Sequence, residues 1–153
     1  MIPRHLSFDS PVGPLTVTER DGAVVSLDWR AQANGDASPL LTAARRQLEA
    51  YFAGELAEFD LPVAPAGTPH QQKVWRAMQE IPFGAHQTYG ALSAAIGSSA
   101  RAVGTACGRN PIPIVIPCHR VLAAGGRIGG YSGGGGTATK RYLLSLEGVT
   151  LSE

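Results

Sequence analysis

The segment Pro111–Pro117 restricts the possible folds of this chain more than any other part of the sequence. It combines three prolines with four aliphatic residues, in the order Pro-Ile-Pro-Ile-Val-Ile-Pro. The aliphatic side chains are apolar enough to be buried, yet the prolines exclude the segment from the centre of a hydrogen-bonded sheet. We therefore expect a rigid, buried, extended chain that presents the residues after it, Cys118 and His119.

Cys118 has neighbours that favour a reactive thiolate. A lone cysteine after an apolar run is usually a small core residue, but here the cationic His119 and Arg120 follow it directly, and positive charge stabilises the thiolate. Adjacent side chains of an extended chain point to opposite sides, so a water molecule would have to carry the proton between the thiol and His119. Glu147, after a predicted helix over 138–146, is the candidate carboxylate to orient the imidazole.

Hydrophobic periodicity predicts an α+β protein with two unequal domains. The N-terminal α+β domain, residues 1–60, shows strand patterns and one helical pattern. The strands are predicted at 4–9, 14–19 and 23–29, with an Asp21-Gly22 hairpin turn, and the helix at 40–52. Residues 61–69 are rich in Pro and Ala and are predicted to be a linker.

The C-terminal domain, residues 70–153, is predicted to be mostly helical, with a helix-turn-helix and an extended active-site segment. Thr68 and Gln71 fit a capping box for its first helix, with Pro69 at the first helical position. Two further short helices around a Gly-Ser-Ser turn are predicted at 88–96 and 100–107. The second is nearly free of large side chains, which permits close approach either to the protein's own core or to a ligand backbone. Cys107, at its end, is predicted to be a packing residue.

The composition excludes several classes of protein. Of the 153 residues, 44% are hydrophobic and 16% are charged, which is typical of a globular protein and not of a disordered one. We find no apolar run long enough for a membrane span and no signal-peptide pattern, so we predict a cytoplasmic protein without membrane contact. The two cysteines cannot build a disulfide framework, and no His/Cys group has zinc spacing, so no metal site is predicted.

Positive charge is concentrated in the second half of the chain. Residues 1–69 contain five arginines and nine carboxylates, whereas residues 70–153 contain eight Lys/Arg and three carboxylates. No carboxylate occurs between Glu80 and Glu147. Such a patch favours a polyanion such as nucleic acid, although a neutral domain with a few basic surface residues gives the same pattern. The cations in this interval are Arg101, Arg109, Arg120, Arg127, Lys140 and Arg141.

Several short motifs, in order and spacing, resemble the O6-alkylguanine-DNA alkyltransferases, the methylated-DNA–protein-cysteine methyltransferases. The most specific motif is Pro117-Cys118-His119-Arg120-Val121. Its flanks match at Arg101-Ala102-Val103-Gly104, Asn110-Pro111, Tyr131-Ser132-Gly133-Gly134 and Glu147-Gly148. Weaker matches extend back through Ile81-Pro82-Phe83-Gly84, Tyr89-Gly90, Gln47-Leu48 and Tyr51-Phe52-Ala53-Gly54, so that nearly the whole chain is covered.

The resemblance implies DNA repair by stoichiometric, irreversible transfer of the alkyl group from O6-alkylguanine in double-stranded DNA to Cys118. The protein would bind the minor groove, flip the damaged base into a pocket and need no cofactor. His119 would accept the thiol proton through water, and Glu147 would hold His119. Asn110 would brace the turn before the active-site segment, and Tyr89 would hydrogen-bond the base and assist its rotation.

The resemblance assigns the remaining site residues to two groups. Arg101 would fill the space that the flipped base leaves in the stack. The helix surface that lines the DNA groove would be formed by Ser99, Ala100, Ala102 and Gly104. The base pocket would be formed by Pro113, Val121, Tyr131, Ser132 and Lys140.

The sequence departs from the family pattern at several places. The turn between Tyr89 and Arg101 is shorter, the glycine-rich loop between Ser132 and Lys140 is longer, and His70 replaces an aromatic residue. The order Gly108-Arg109-Asn110 also differs from the Arg-Gly-Asn of some members. The N-terminal domain has no cysteine, so the zinc site of some relatives is not expected.

Three other functions remain open from the sequence alone. A damage marker that binds the flipped base would lack the acceptor, and Cys118 counts against it. A thiol hydrolase would turn over small substrates without DNA. A regulatory helix-turn-helix protein would leave the Cys118 motif unexplained. We expect a monomer in solution, and the sequence leaves open cooperative binding along DNA and activity on O4-alkylthymine.

Overall fold

The computed structural model of the chain describes residues 3–32, 35 and 38–151. The chain divides into two compact units, Met1–Ala66 and Gly67–Glu153. Within the described residues, none of the helices has the length and apolar character needed to cross a membrane.

The first unit is a three-stranded antiparallel sheet with one helix packed on it. The strands β1 (Arg4–Phe8), β2 (Leu15–Arg20) and β3 (Ala23–Asp28) lie in the order β1-β2-β3, and α1 spans Pro39–Phe52. Asp21 and Gly22 both have positive φ, of 53° and 80°, as a two-residue hairpin turn requires. The predicted strands, hairpin turn and helix are confirmed, with ends that differ by one residue at most.

Part of the segment predicted as a linker lies along the sheet. The Val24 N–H donates to the Pro62 carbonyl at 2.8 Å, and the Ala64 N–H donates to the Val24 carbonyl at 2.9 Å. Val63 forms a parallel bridge with Val24. These residues therefore extend the first unit, because the outer edge of β3 offers backbone groups that need partners.

The described residues of the second unit form four α-helices and a short parallel strand pair. The helices are α2 (Pro69–Gln79), α3 (Tyr89–Ile96), α4 (Ala100–Gly108) and α5 (Thr137–Leu146). The predicted capping box between Thr68 and Gln71 is present at the start of α2. Trp75 joins α2 to α4, since its buried indole Nε1 donates to the Ala106 carbonyl at 2.9 Å.

The segment Pro111–Pro117 is almost wholly buried, but the prediction that it is extended is wrong. The Val115 N–H donates to the Pro113 carbonyl at 2.9 Å, and the Ile116 N–H donates to the Ile112 carbonyl at 2.9 Å, so the chain is folded into tight turns. The prolines do exclude it from a sheet. Local turns satisfy the backbone groups that an extended buried chain would leave without partners.

The parallel strand pair, which the sequence pattern did not predict, connects α3 to the residues after Cys118. β4 (Gln87–Thr88) pairs with β5 (Val121–Leu122). The pairing brings Tyr89, the first residue of α3, close to the Cys118 turn. Strands of two residues carry no readable alternation, so only the folded chain reveals them.

We expect Trp75→Phe to lower the free energy of unfolding by about 1–3 kcal/mol, because the smaller ring leaves space in the core and the hydrogen bond to Ala106 is lost. Denaturant unfolding followed by circular dichroism measures the change. A variant as stable as the wild type would contradict the assigned contact between α2 and α4.

Candidate active site

Cys118 opens a 3-10 turn at the end of the buried proline-rich segment. The turn spans Cys118–Arg120, and all three side chains are buried. Successive side chains in such a turn are rotated by about 120°, not 180°. The prediction that Cys118 and His119 point to opposite sides assumed an extended chain and does not apply to this turn.

His119 and Glu147 form a fully buried contact, with 2.6 Å between Nε2 and Oε2. A carboxylate can only accept, so Nε2 carries the donated proton and Nδ1 becomes the basic nitrogen. Among the described residues, Nδ1 has no hydrogen-bond partner. Burial lowers the pKa of His119, which favours the neutral imidazole that a proton acceptor must be.

Arg120 holds Glu147 from the other side, a role that the sequence alone did not indicate. Its Nε donates to Oε1 at 2.7 Å, its Nη2 donates to Oε2 at 3.1 Å, and its Nη1 donates to the Ile81 carbonyl at 2.6 Å. The prediction that Arg120 belongs to a positive surface patch is therefore wrong. The sequence did contain a signal for this pairing. Residues 70–153 have only three carboxylates, so a buried guanidinium in this unit must pair with one of them.

The charge on Glu147 depends on this guanidinium. Glu147 is the C-cap of α5, where the helix dipole disfavours a carboxylate. A bidentate, charge-assisted contact with Arg120 offsets both that dipole and the cost of burial. Glu147 can therefore remain ionised and accept from His119.

Burial keeps Cys118 protonated at rest. It raises the pKa of the Cys118 thiol, while the neighbouring polar side chains of Asn110 and Tyr131 and the positive charge of Lys140 act in the opposite direction. The raised pKa shows that burial outweighs the cationic neighbours on which the thiolate prediction was based. The thiol therefore needs a proton acceptor at the moment of reaction.

Lys140 is the second cation that lies inside the protein instead of on a positive surface. Its Nζ donates to the Val121 carbonyl at 2.7 Å and to the Gly130 carbonyl at 3.1 Å, and it lies 5.7 Å from the Tyr89 ring centroid. Burial lowers the pKa of Lys140 to about 8. The side chain thus connects β5 to Gly130, shortly before the glycine-rich loop.

Asn110 and Tyr89 complete the cluster around Cys118. The Asn110 amide donates to the Ile116 carbonyl at 2.8 Å, and its oxygen accepts from the Ile112 N–H at 2.9 Å, so it closes the turn that precedes the thiol. Burial raises the pKa of Tyr89 to about 12, so its hydroxyl keeps a proton to donate.

Two of the predicted pocket residues are not linked to this cluster by the contacts of the described residues. Pro113 is buried within the turns, where its carbonyl accepts from the Val115 N–H. Ser132 is exposed on the glycine-rich loop.

The outer face of α4 is open. A Cβ added at Gly104 would meet no atom within 4 Å, so internal packing does not require glycine there, whereas Val103 on the inner face is fully buried. This observation favours close approach to a ligand backbone, and not to the protein's own core, as the reason for the small residues. Exposed or half-buried along this face and its N-cap are Ser99, Ala100, Arg101, Ala102 and Gly104.

Cys107 has the packing environment that the sequence predicted. Its Sγ lies 3.5 Å from the Met78 Sδ, and burial raises the pKa of Cys107 to about 12. Within the described ranges, no group of three or more His, Cys, Asp or Glu side chains could hold a metal ion.

We expect Arg120→Met to lower the free energy of unfolding by about 3–5 kcal/mol, because it leaves Glu147 buried without its cation. Arg45→Met is the matched control, since Arg45 pairs with Glu49 at 3.4 Å on the exposed surface of α1. That variant should lose less than about 1 kcal/mol. Similar losses in the two variants, measured by denaturant unfolding, would contradict the buried ion pair.

Two family models match the chain almost end to end. The 6-O-methylguanine DNA methyltransferase ribonuclease-like domain matches residues 4–65, and the DNA binding domain of the same family matches residues 69–149. The methylated-DNA–protein-cysteine methyltransferase of Methanosarcina acetivorans is 42% identical over 151 residues, covering 92% of this chain and 96% of that protein. The constitutive Bacillus subtilis protein of the same name is 38% identical, covering 97% and 98%.

Solved structures show the same fold. The crystal structure of Mycobacterium tuberculosis O6-methylguanine methyltransferase superimposes with a TM-score of 0.84 at 40% identity, covering 99% of this chain and 97% of that one. The structure of Mycobacterium tuberculosis OGT in complex with DNA also gives 0.84, at 44% identity over 94% and 91% of the two chains. The chain belongs to the 6-O-methylguanine DNA methyltransferase family.

Proposed function

We propose that this protein repairs DNA by transferring the alkyl group of O6-alkylguanine directly and irreversibly to its own Cys118. The buried series of contacts that starts at the Cys118 turn and runs through His119 and Glu147 to Arg120 is the observation that carries the proposal. The names of the relatives, methylated-DNA–protein-cysteine methyltransferases, support the same reaction, and the DNA complex of the Mycobacterium tuberculosis protein supports DNA as the partner.

The chemical step begins when Cys118 loses its proton. The basic Nδ1 of His119 accepts that proton through one bridging water molecule, and the ionised Glu147 stabilises the imidazolium that forms. The Cys118 sulfur attacks the alkyl carbon in line, and the bond from that carbon to O6 breaks. Tyr89 donates a hydrogen bond that stabilises the negative charge on the departing guanine, and the proton held on His119 passes to that base through water. The resulting thioether is stable, so each chain reacts once and needs no cofactor.

The flipped guanine occupies a pocket beside the Cys118 turn. Backbone groups of Cys118 and Val121 bind its amino group, and those of Tyr131 and Ser132 bind O6. Lys140 supports this arrangement because it binds the carbonyls of both Val121 and Gly130 and so holds them together. Pro113 completes the pocket wall from within its buried turn.

We assign DNA binding to the outer face of α4. The open space at Gly104 allows the helix backbone to approach the minor groove closely, and Arg101, which is exposed, fills the gap in the base stack. Tyr89 assists base rotation from the start of α3.

We further propose that residues 70–153 form the DNA-binding and alkyl-transfer domain, with residues 1–60, extended by residues 62–64 along β3, as the N-terminal domain. The protein would act as a monomer in the cytoplasm. Sedimentation of the free chain and cell fractionation test these two expectations.

Excess O6-methylguanine duplex should add one methyl group per chain, located on Cys118 by peptide mapping, with no second turnover. Intact-mass spectrometry makes the measurement. Cys118→Ala should take up no methyl group, whereas the control Cys107→Ser should react like the wild type, because Cys107 is assigned to packing. Removal of the lesion by Cys118→Ala would overturn the proposed reaction. An unmodified wild type that still binds the lesion would instead indicate a damage marker.

Arg101→Ala should slow repair in duplex DNA more than it slows reaction with the free base O6-methylguanine, because only the duplex has a base stack to fill. Single-turnover rates on both substrates measure the difference. Arg109→Ala, which removes another exposed cation of the same unit, is the control and should cause a smaller loss on duplex. Equal losses of Arg101→Ala on both substrates would contradict the role assigned to Arg101.

A further inference from the structure

The turn between α3 and α4 contains a side chain that caps neither helix. Three residues, 97–99, separate the helices. Gly97 ends α3 with a left-handed φ of 70°, and the Ser99 hydroxyl caps α4. The Ser98 hydroxyl lies 2.8 Å from Nε2 of His70 and forms a hydrogen bond with it.

His70 is presented from a rigid helix start. The Thr68 N–H donates to the Gln71 side chain at 2.9 Å, and the Gln71 N–H donates to the Thr68 hydroxyl at 3.1 Å. This capping box holds the first turn of α2, which carries the imidazole.

α2 therefore contacts α4 and its preceding turn near both ends of that helix. Trp75 meets the Ala106 carbonyl near the end of α4, and His70 meets Ser98 just before its start. The helix from Ala100 to Ala106 is about 9 Å long. Two contacts separated by this length restrict the tilt of a helix, whereas a single contact restricts its position only.

We propose that the His70–Ser98 hydrogen bond is a positioning contact that holds α4 at the tilt required for DNA binding. An open groove of about 380 Å³ between α2 and α4 is lined by both His70 and Arg101, so the contact lies beside the residue assigned to the base stack. The inference rests on the proposed function, because it requires α4 to enter the minor groove. His70 and Ser98 take no part in the chemical step.

A double-mutant cycle on duplex affinity tests this role. His70→Ala, Ser98→Ala and the double variant are titrated against a lesion-free duplex, so that no reaction consumes the protein. Each single variant should bind about three- to ten-fold more weakly, the effect of one lost hydrogen bond. The double variant should lose no more than either single variant. His70→Gln should recover most of the affinity, because its amide nitrogen reaches the position of Nε2.

The controls separate positioning from general damage to the fold. Gln79→Ala changes an exposed polar residue at the other end of α2 and should bind duplex like the wild type. Every variant should react with the free base O6-methylguanine at the wild-type rate, since that substrate makes no use of α4.

Unchanged duplex affinity in His70→Ala, additive losses in the double variant, or an equal loss of reaction with the free base would overturn the positioning role. A wild-type chain that binds no duplex would overturn the proposed function, and this inference with it. A wild type that binds duplex together with an unaffected His70→Ala would overturn this inference alone.

Discussion

The buried ion pair between Arg120 and Glu147 is the contact on which the arrangement around Cys118 depends. It joins the 3-10 turn to the end of α5, and through the Ile81 carbonyl to the chain after α2. Two charges inside a protein are tolerated only when geometry and additional hydrogen bonds compensate for lost hydration. Here a bidentate guanidinium and an imidazole saturate one carboxylate, so the charges that stabilise the unit also orient the proton acceptor.

The same burial determines the protonation states at rest. It raises the pKa of Cys118 and lowers that of His119, so the nucleophile and its base are both neutral until a substrate arrives. A neutral thiol suits a protein that reacts only once, because a permanent thiolate would react with oxidants and with other electrophiles. Lys140, held by two carbonyls near the thiol, supplies positive charge without being a surface residue.

The two faces of α4 meet different requirements. Its inner face packs through Val103 and Ala106 and accepts the Trp75 indole, whereas its outer face has open space at Gly104. The small side chains on the outer face of α4 make few contacts. The orientation of this helix therefore depends on the elements packed against its inner face. The contacts of α2 with α4 and with the turn before it provide that support, and His70 extends them to the point where α4 begins.

Local sequence patterns are sufficient to predict the local structure and the chemical groups: the capping box at Thr68, the Asp21-Gly22 turn, the extents of most helices and the identity of the residues around Cys118. These features depend on neighbours within about one helical turn, which periodicity and capping patterns record. Four features could not be predicted in this way: Arg120 and Lys140 lie inside, the proline-rich segment folds into tight turns, β4 pairs with β5, and residues 62–64 lie along β3. Each of these depends on a partner distant in the chain, or on backbone groups competing for hydrogen bonds, and no local pattern encodes which partner is met.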